Sequence, residues 1–104
     1  MKQAIIDIGS NSMRLTVYEI VGEKFKILFR EKSMAGLAGY VEEGRLSPEG
    51  IARACSGLLE FRERLAALDI LNVAVFATAP LRNIFNPAEA VWAIQTATGF
   101  SVEV

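Results

Sequence analysis

The apolar and polar positions in the first third of the chain follow the pattern of three short strands. Residues 4–8 form an apolar run that ends at a Gly-Ser pair, which is typical of a buried strand, and Asp7 is its single charged member. Residues 13–21 are rich in Val, Ile, Thr and Tyr, and a Gly22-Glu23 turn separates them from residues 24–31. This third segment has its large apolar residues at a period of two, which predicts one shared face: Phe25, Ile27 and Phe29. We expect three consecutive antiparallel strands.

The rest of the chain carries two helix start signals. Ser47 predicts an N-cap, with Pro48 in the first turn and Glu49 beside the positive end of the helix dipole. Apolar residues follow at steps of three and four and predict the stripe that packs on the sheet: Ile51, Cys55, Leu58, Phe61, Leu65 and Leu68. Asn86-Pro87 repeats the start signal, and Thr98-Gly99 ends the second helix.

Each predicted helix leads into a further strand. Residues 72–78 and 100–104 carry strand patterns, and a strand that follows a helix is expected to join the sheet in parallel through a crossover. The segment 33–44 contains three glycines and is expected to be a packed loop. The order βββαβα plus a fifth strand predicts an α/β fold with a mixed sheet, consistent with a ribonuclease H-like or actin-like lobe.

Composition limits the chemistry that the chain can perform. With 104 residues and 52% hydrophobic content it forms one domain, which leaves no room for a cleft between two lobes. The absence of histidine and the presence of one cysteine exclude a His/Cys zinc site, a Ser-His-Asp triad and an internal disulfide. Carboxylates, hydroxyls, backbone amides and arginines remain as the reactive or binding groups.

Charge and the N-terminal sequence indicate the surroundings in which the chain works. Eleven basic and twelve acidic residues give a net charge of -1 without a polybasic block, so we expect no nucleic-acid partner. The apolar run after Met1 is too short for a signal peptide or a membrane span. We expect a cytoplasmic protein with no membrane partner.

The turn after the first strand is the principal candidate for chemistry. Its small residues, Gly9-Ser10-Asn11-Ser12, could direct several backbone N–H groups and polar side chains towards one phosphate. Asp7 could hold a Mg²⁺ that shares the phosphate oxygens, and Arg14 could clamp the same anion. The alternative is an ordinary hairpin turn in which Asp7 accepts local hydrogen bonds and Arg14 faces solvent.

A second candidate lies where the fourth strand ends, the position at which open α/β sheets place ligands. Thr78 could donate its hydroxyl there, and Arg82 could neutralise a second phosphate charge. The alternative is that Thr78 caps a short helix and Arg82 is exposed. Cys55 and Trp92 are expected to be packing residues.

Residues 7–15, Asp-Ile-Gly-Ser-Asn-Ser-Met-Arg-Leu, resemble the first phosphate loop of the exopolyphosphatase and guanosine pentaphosphate phosphohydrolase family. That family belongs to the sugar kinase, heat-shock protein and actin superfamily. Three further segments agree with it in order and spacing: residues 46–51, residues 77–82 and residues 99–104. The resemblance covers essentially the whole chain.

The resemblance implies an enzyme that releases terminal phosphate from inorganic polyphosphate or from guanosine pentaphosphate, with Mg²⁺. It also implies that polyphosphate or guanosine penta- or tetraphosphate is the partner that binds. Asp7 would hold the metal, residues 9–12 would bind phosphate, and three further side chains would line the path of the polyanion: Arg14, Thr78 and Arg82. A homodimer of the full-length protein is a further expectation.

The chain departs from the family's pattern in two places. The glutamate segment that supplies the family's general base, and its second glycine-rich phosphate loop, do not occur in residues 1–104. We therefore interpret residues 1–104 as a single N-terminal lobe that is inactive alone, with the base expected beyond Val104. Residues 35–40 also lack an arginine that many relatives carry.

Two alternative functions follow from these departures. One is a sensor that binds phosphorylated nucleotides without turning them over, which the missing arginine favours. The other is an ATP-dependent kinase or ATPase of the same superfamily, whose first loop usually has Thr or Gly where this chain has Ser10.

Overall fold

The computed structural model describes residues 1–34, 36–77, 81 and 83–104. In chain order its elements are β1 (Lys2–Ile8), β2 (Met13–Val21), β3 (Lys24–Ser33), a 3₁₀ helix (Leu37–Tyr40), β4 (Val41–Glu42), β5 (Arg45–Leu46), α1 (Pro48–Ala67), β6 (Val73–Ala77), α2 (Pro87–Thr98) and β7 (Val102–Glu103).

The main sheet has the strand order β3-β2-β1-β6-β7. The first three strands pair antiparallel, whereas β6 pairs in parallel with β1 and β7 in parallel with β6. The predicted strand directions are therefore confirmed, and the order of the strands within the sheet comes from the structure. Residues 33–44, which the sequence predicted to be a loop, also contain the 3₁₀ helix and β4, which pairs with β5 in a small hairpin.

The two faces of the sheet differ in burial. Ala4, Ile6 and Ile8 are buried in one core with residues of both helices, while Ile5 is half-buried and Asp7 is exposed. The expectation that residues 4–8 form a strand buried on both sides is therefore wrong, because α1 and α2 share the core on one face. We call the other side of the sheet the open face; β1 and β2 place these residues on it: Gln3, Ile5, Asp7, Arg14, Thr16 and Tyr18.

A β-bulge divides β3 into two parts. Tyr18 pairs with Ile27 but Val17 pairs with Phe29, so Leu28 is an extra residue in β3. Phe29 packs against the core, whereas Phe25 and Ile27 are on the open face. The prediction that Phe25, Ile27 and Phe29 share one face is wrong, because an inserted residue reverses the alternation.

Helix α1 begins as the sequence predicts, with the Ser47 hydroxyl accepting a hydrogen bond from the Gly50 N–H at 3.1 Å. Its buried stripe runs through Ala54 and Gly57 as well as the predicted Leu58, Phe61 and Leu65. Of the other predicted residues, Ile51 and Cys55 are partly buried against the core and Leu68 is exposed. A Cβ on Gly57 would meet the methyl carbon of Met13, so glycine leaves room there for the Met13 side chain. The Met13 side chain, at the start of β2, therefore packs against α1.

Helix α2 ends at Gly99 (φ 77°), as predicted, but its other end differs from the prediction. Asn86 occupies the N-cap position without a side-chain cap; its amide is buried and bonded to the backbone of Leu46 instead. Trp92, expected to pack, is 68% exposed. None of the helices in the described part of the chain is long and apolar enough to cross a membrane.

Candidate functional site

The turn between β1 and β2 consists of residues 9–12 and is closed by its own backbone. The Gly9 N–H donates to the Ser12 carbonyl oxygen at 3.0 Å. A Cβ on Gly9 would lie 2.9 Å from that same oxygen, so the turn requires glycine at this position. Ser10 is half-buried, Asn11 is exposed and Ser12 is 8% exposed. The tight closure leaves a compact loop without bulky side chains, as a phosphate cradle needs.

Asp7 and Arg14 flank this turn from neighbouring strands. They are partners in the β1–β2 register, both are exposed, and both belong to the open face. Directly opposite side chains on an antiparallel pair have Cβ atoms about 5 Å apart. Within the described residues the ion pairs are the N-terminal amine with Glu19 and Arg64 with Glu31, so Asp7 and Arg14 do not bind each other directly. A carboxylate and a guanidinium are therefore both available beside the turn.

The carboxyl ends of the parallel strands β1 and β6 lie at the same edge of the sheet. Ile8 pairs with Ala77, so the end of β6 lies beside the turn of residues 9–12. This is the edge at which open α/β sheets bind ligands. Thr78 and Arg82, which the sequence predicted to contribute here, lie outside the described residues.

The turn is also tied to the segment before α1. The Ala38 N–H in the 3₁₀ helix donates to the Ser10 carbonyl oxygen at 3.0 Å. Sequence reasoning noted that residues 35–40 lack an arginine but did not predict this contact, because the three glycines of the segment indicated only a loop. The contact fixes one side of the turn and brings the 3₁₀ helix next to the candidate phosphate site.

The donor set around the turn fits one divalent cation that also binds substrate. Among the described residues no group of three or more His, Cys, Asp or Glu side chains could hold a metal ion, and Asp7 is the carboxylate beside the turn. Mg²⁺ is commonly held by one or two carboxylates together with water and substrate phosphates. Asp7 is therefore suited to a metal that arrives with a phosphate.

Two basic residues that sequence reasoning missed belong to the same side of the sheet. Lys32 pairs with Arg14 and Arg30 pairs with Thr16, so both extend the open face next to the turn. Alternation from Phe29, which packs against the core, was a signal that Arg30 and Lys32 face away from it. The sequence did not show that they lie beside Arg14 and Thr16, because this depends on the register of β2 and β3.

Comparison with known proteins agrees with these features. A model of the Ppx/GppA phosphatase family matches residues 16–104. A curated Haemophilus influenzae protein, "Putative exopolyphosphatase", is 39% identical over 87 residues, which are 83% of this chain and 27% of that protein.

Solved structures extend the agreement to the turn itself. The Aquifex aeolicus Ppx/GppA phosphatase (type II variant) is 30% identical with a TM-score of 0.89, and the match covers 100% of this chain and 35% of that one. An exopolyphosphatase from Cytophaga hutchinsonii is 28% identical with a TM-score of 0.89, covering 100% and 34%. The chain thus spans about a third of these structures, and it has the ribonuclease H-like, actin-like fold predicted from its sequence. The chain belongs to the Ppx/GppA phosphatase family.

Proposed function

We propose that the protein containing this chain releases terminal phosphate from inorganic polyphosphate, from guanosine pentaphosphate, or from both, with Mg²⁺. The observation that carries the proposal is the closed turn of residues 9–12, flanked by Asp7 and Arg14 as register partners on the open face. Transfer of a phosphoryl group depends mainly on positioning and on neutralising charge on the phosphate oxygens. This arrangement suits both tasks.

Each residue of the site has a proposed role. The backbone and side chains of residues 9–12 bind phosphate, and Arg14 neutralises charge on its oxygens. Asp7 would hold Mg²⁺, which when bound withdraws charge from the phosphate oxygens that it touches. We propose that Thr78 and Arg82 line the path of the polyanion, since Ala77 pairs with Ile8 at the edge where the turn lies.

Residues 1–104 are proposed to act as one lobe of a larger phosphatase. The chain spans 27% of the Haemophilus influenzae relative and 35% of the Aquifex aeolicus structure. The β1–β2 register places Asp7 beside the turn, and Asp7 is assigned to the metal rather than to the activation of water. We therefore propose that the general base belongs to another part of the full-length protein, and that residues 1–104 alone do not turn over substrate.

The test is phosphate release from polyphosphate and from guanosine pentaphosphate, measured for residues 1–104 and for the full-length protein, with and without Mg²⁺. Release by the full-length protein alone, dependent on Mg²⁺, is the expected result. Binding of either substrate without release would contradict the proposal and indicate a sensor. Release by residues 1–104 would show that the base lies within them.

Asp7→Asn in the full-length protein separates the role of Asp7 from a structural one. We expect kcat/KM to fall about a hundredfold, because the variant loses a charged metal ligand, while the unfolding midpoint stays unchanged since Asp7 is exposed. Asp69→Asn is the matched control: it removes the same charge from an exposed aspartate outside the site. An equal loss in both variants would refute a role for Asp7.

A further inference from the structure

The open face carries a short row of cations that begins beside the turn of residues 9–12. Arg14 is two residues beyond the turn, Lys32 is its register partner on β3, and Arg30 pairs with Thr16 two residues further along β2. All three cations are exposed. Neighbouring strands are about 4.8 Å apart and alternate residues on a strand about 7 Å apart, so the row extends roughly 10 Å from the turn. We call Arg14, Arg30 and Lys32 the basic row.

The space above the row is a groove of about 510 Å³ rather than a flat surface. Its walls are formed by Arg14, Leu15, Thr16, Arg30, Glu31 and Lys32. The acidic member of this set is Glu31, whose register partner Leu15 is in the core, and its carboxylate forms an ion pair with Arg64 of α1. The groove therefore combines three cations with one carboxylate that is already neutralised.

None of the three cations forms an ion pair with a carboxylate of the described residues, whose two ion pairs involve other basic groups. A row of unpaired cations concentrates positive potential, and this one belongs to a chain whose net charge is -1. The bulge at Leu28 contributes to this, because it places Arg30 and Lys32 on the face that carries Arg14. The groove is therefore suited to an anion that extends beyond a single phosphate.

We infer that the basic row binds the internal phosphates of a linear polyphosphate chain whose end lies at the turn of residues 9–12. The inference rests on the proposed function and specifies its substrate: the row favours long polyphosphate over short phosphate compounds. Repeated charge favours this ligand, because each cation meets an equivalent group of the same polymer and releases its counterions. Single-stranded RNA is a poorer fit to this groove, because the open-face rings on which bases could stack, Tyr18 and Phe25, lie outside its walls.

The decisive variant is Arg30→Gln/Lys32→Gln in the full-length protein. Lys24→Gln/Lys26→Gln is its matched control: it removes the same two charges from exposed lysines of the same strand, whose register partners are Val21 and Glu19 rather than open-face residues. Binding of long-chain polyphosphate and of tripolyphosphate is measured in EDTA, so that turnover does not contribute, at several salt concentrations.

We expect the Arg30/Lys32 variant to bind long-chain polyphosphate about tenfold more weakly, and its log–log salt dependence to become shallower by about two ions. Tripolyphosphate binding and the control variant should match the wild type. An equal loss in both double variants would overturn the inference, because net charge alone would then explain it. Unchanged binding of long chains, an equal loss for tripolyphosphate, or equally good competition by single-stranded RNA would overturn it as well.

Phosphate release by the same proteins distinguishes failure of this inference from failure of the proposed function. If the wild type binds long-chain polyphosphate through the basic row but releases no phosphate, the proposed hydrolysis is refuted and the inference about the basic row is supported. The opposite result is that the wild type hydrolyses tripolyphosphate or guanosine pentaphosphate while the Arg30/Lys32 variant hydrolyses long chains with an unchanged KM. The inference about the basic row is then refuted and the proposed function is supported.

Discussion

At the scale of single residues, Gly9 has the most restricted place in the candidate site. A Cβ there would lie 2.9 Å from the Ser12 carbonyl oxygen, which also accepts the Gly9 N–H. We predict that Gly9→Ala opens the turn, weakens phosphate binding at least about tenfold and lowers the free energy of unfolding by about 1–2 kcal/mol. Isothermal titration with tripolyphosphate and urea denaturation would measure these two effects.

Gly39→Ala is the matched control for the turn. Gly39 lies in the neighbouring 3₁₀ helix, no heavy atom comes within 4 Å of its Cβ position, and its φ is not positive. This variant should bind tripolyphosphate as the wild type does. If Gly9→Ala behaved like Gly39→Ala, the close approach in the turn would have no part in phosphate binding.

Cys55 on α1 leads to a prediction about pH. Desolvation by burial raises the pKa of its thiol, and a backbone hydrogen bond offsets part of that effect. Since the folded chain holds the proton more tightly than the unfolded chain, this contribution to stability is complete below the unfolded pKa and is lost as pH rises through the folded pKa. The single cysteine of the chain should therefore react with iodoacetamide at pH 8 more slowly in the native protein than in urea.

A reaction as fast in the native protein as in urea would show that the Cys55 thiol is not protected by burial. The stability effect has its own control in Cys55→Ala, which has no thiol to ionise. Above pH 8 the wild type should lose free energy of unfolding relative to this variant, with both measured by urea denaturation over the same pH series.

At the scale of elements, the bulge in β3 decides which side chains stabilise the sheet. Phe29 packs against the core, while Phe25 is 68% exposed and contacts Tyr18 edge-on, with ring centroids 5.8 Å apart. We predict that Phe29→Ala lowers the free energy of unfolding by about 2–3 kcal/mol and Phe25→Ala by less than about 1 kcal/mol. Urea denaturation of the two variants provides the comparison. Equal losses would mean that the two rings share one environment and that the bulge is absent.

The same strand shows what the sequence can and cannot predict. Periodicity and capping residues predicted the strand directions, the N-cap of α1 at Ser47 and the stop at Gly99, because local preference and burial agree there. Periodicity did not predict the extra residue at Leu28, since pairing with β2 and packing against the core decide where a strand is interrupted. The candidate site was predictable to a similar extent. Its loop was recognisable as a motif, whereas the register of β2 and β3 was needed to place Arg30 and Lys32 near it.

At the scale of the whole molecule, one buried amide joins parts of the chain that are 40 residues apart. The Leu46 N–H donates to Asn86 Oδ1 at 3.1 Å, and Asn86 Nδ2 donates to the Leu46 carbonyl oxygen at 3.3 Å. A third bond runs from the Phe85 N–H to the Gly44 carbonyl oxygen at 2.7 Å. These bonds attach the β4–β5 hairpin, which leads into α1, to the start of α2, so the two helices are linked by hydrogen bonds as well as by the core.

Asn86 tests this link because its amide both donates and accepts. Asn86→Ala leaves two buried backbone groups of Leu46 without partners and should lower the free energy of unfolding by about 2 kcal/mol. Asn83→Ala, at an exposed neighbour, should change it little.

Asn86→Asp keeps the acceptor but at neutral pH lacks the donor. It should recover stability in acid, where a protonated carboxyl can donate to the Leu46 oxygen. The folded state would then bind that proton more tightly than the unfolded state, so urea denaturation should show a gain relative to Asn86→Ala as pH falls. A constant difference between the Asp and Ala variants across that pH range would mean that the Leu46 carbonyl does not need the Asn86 donor.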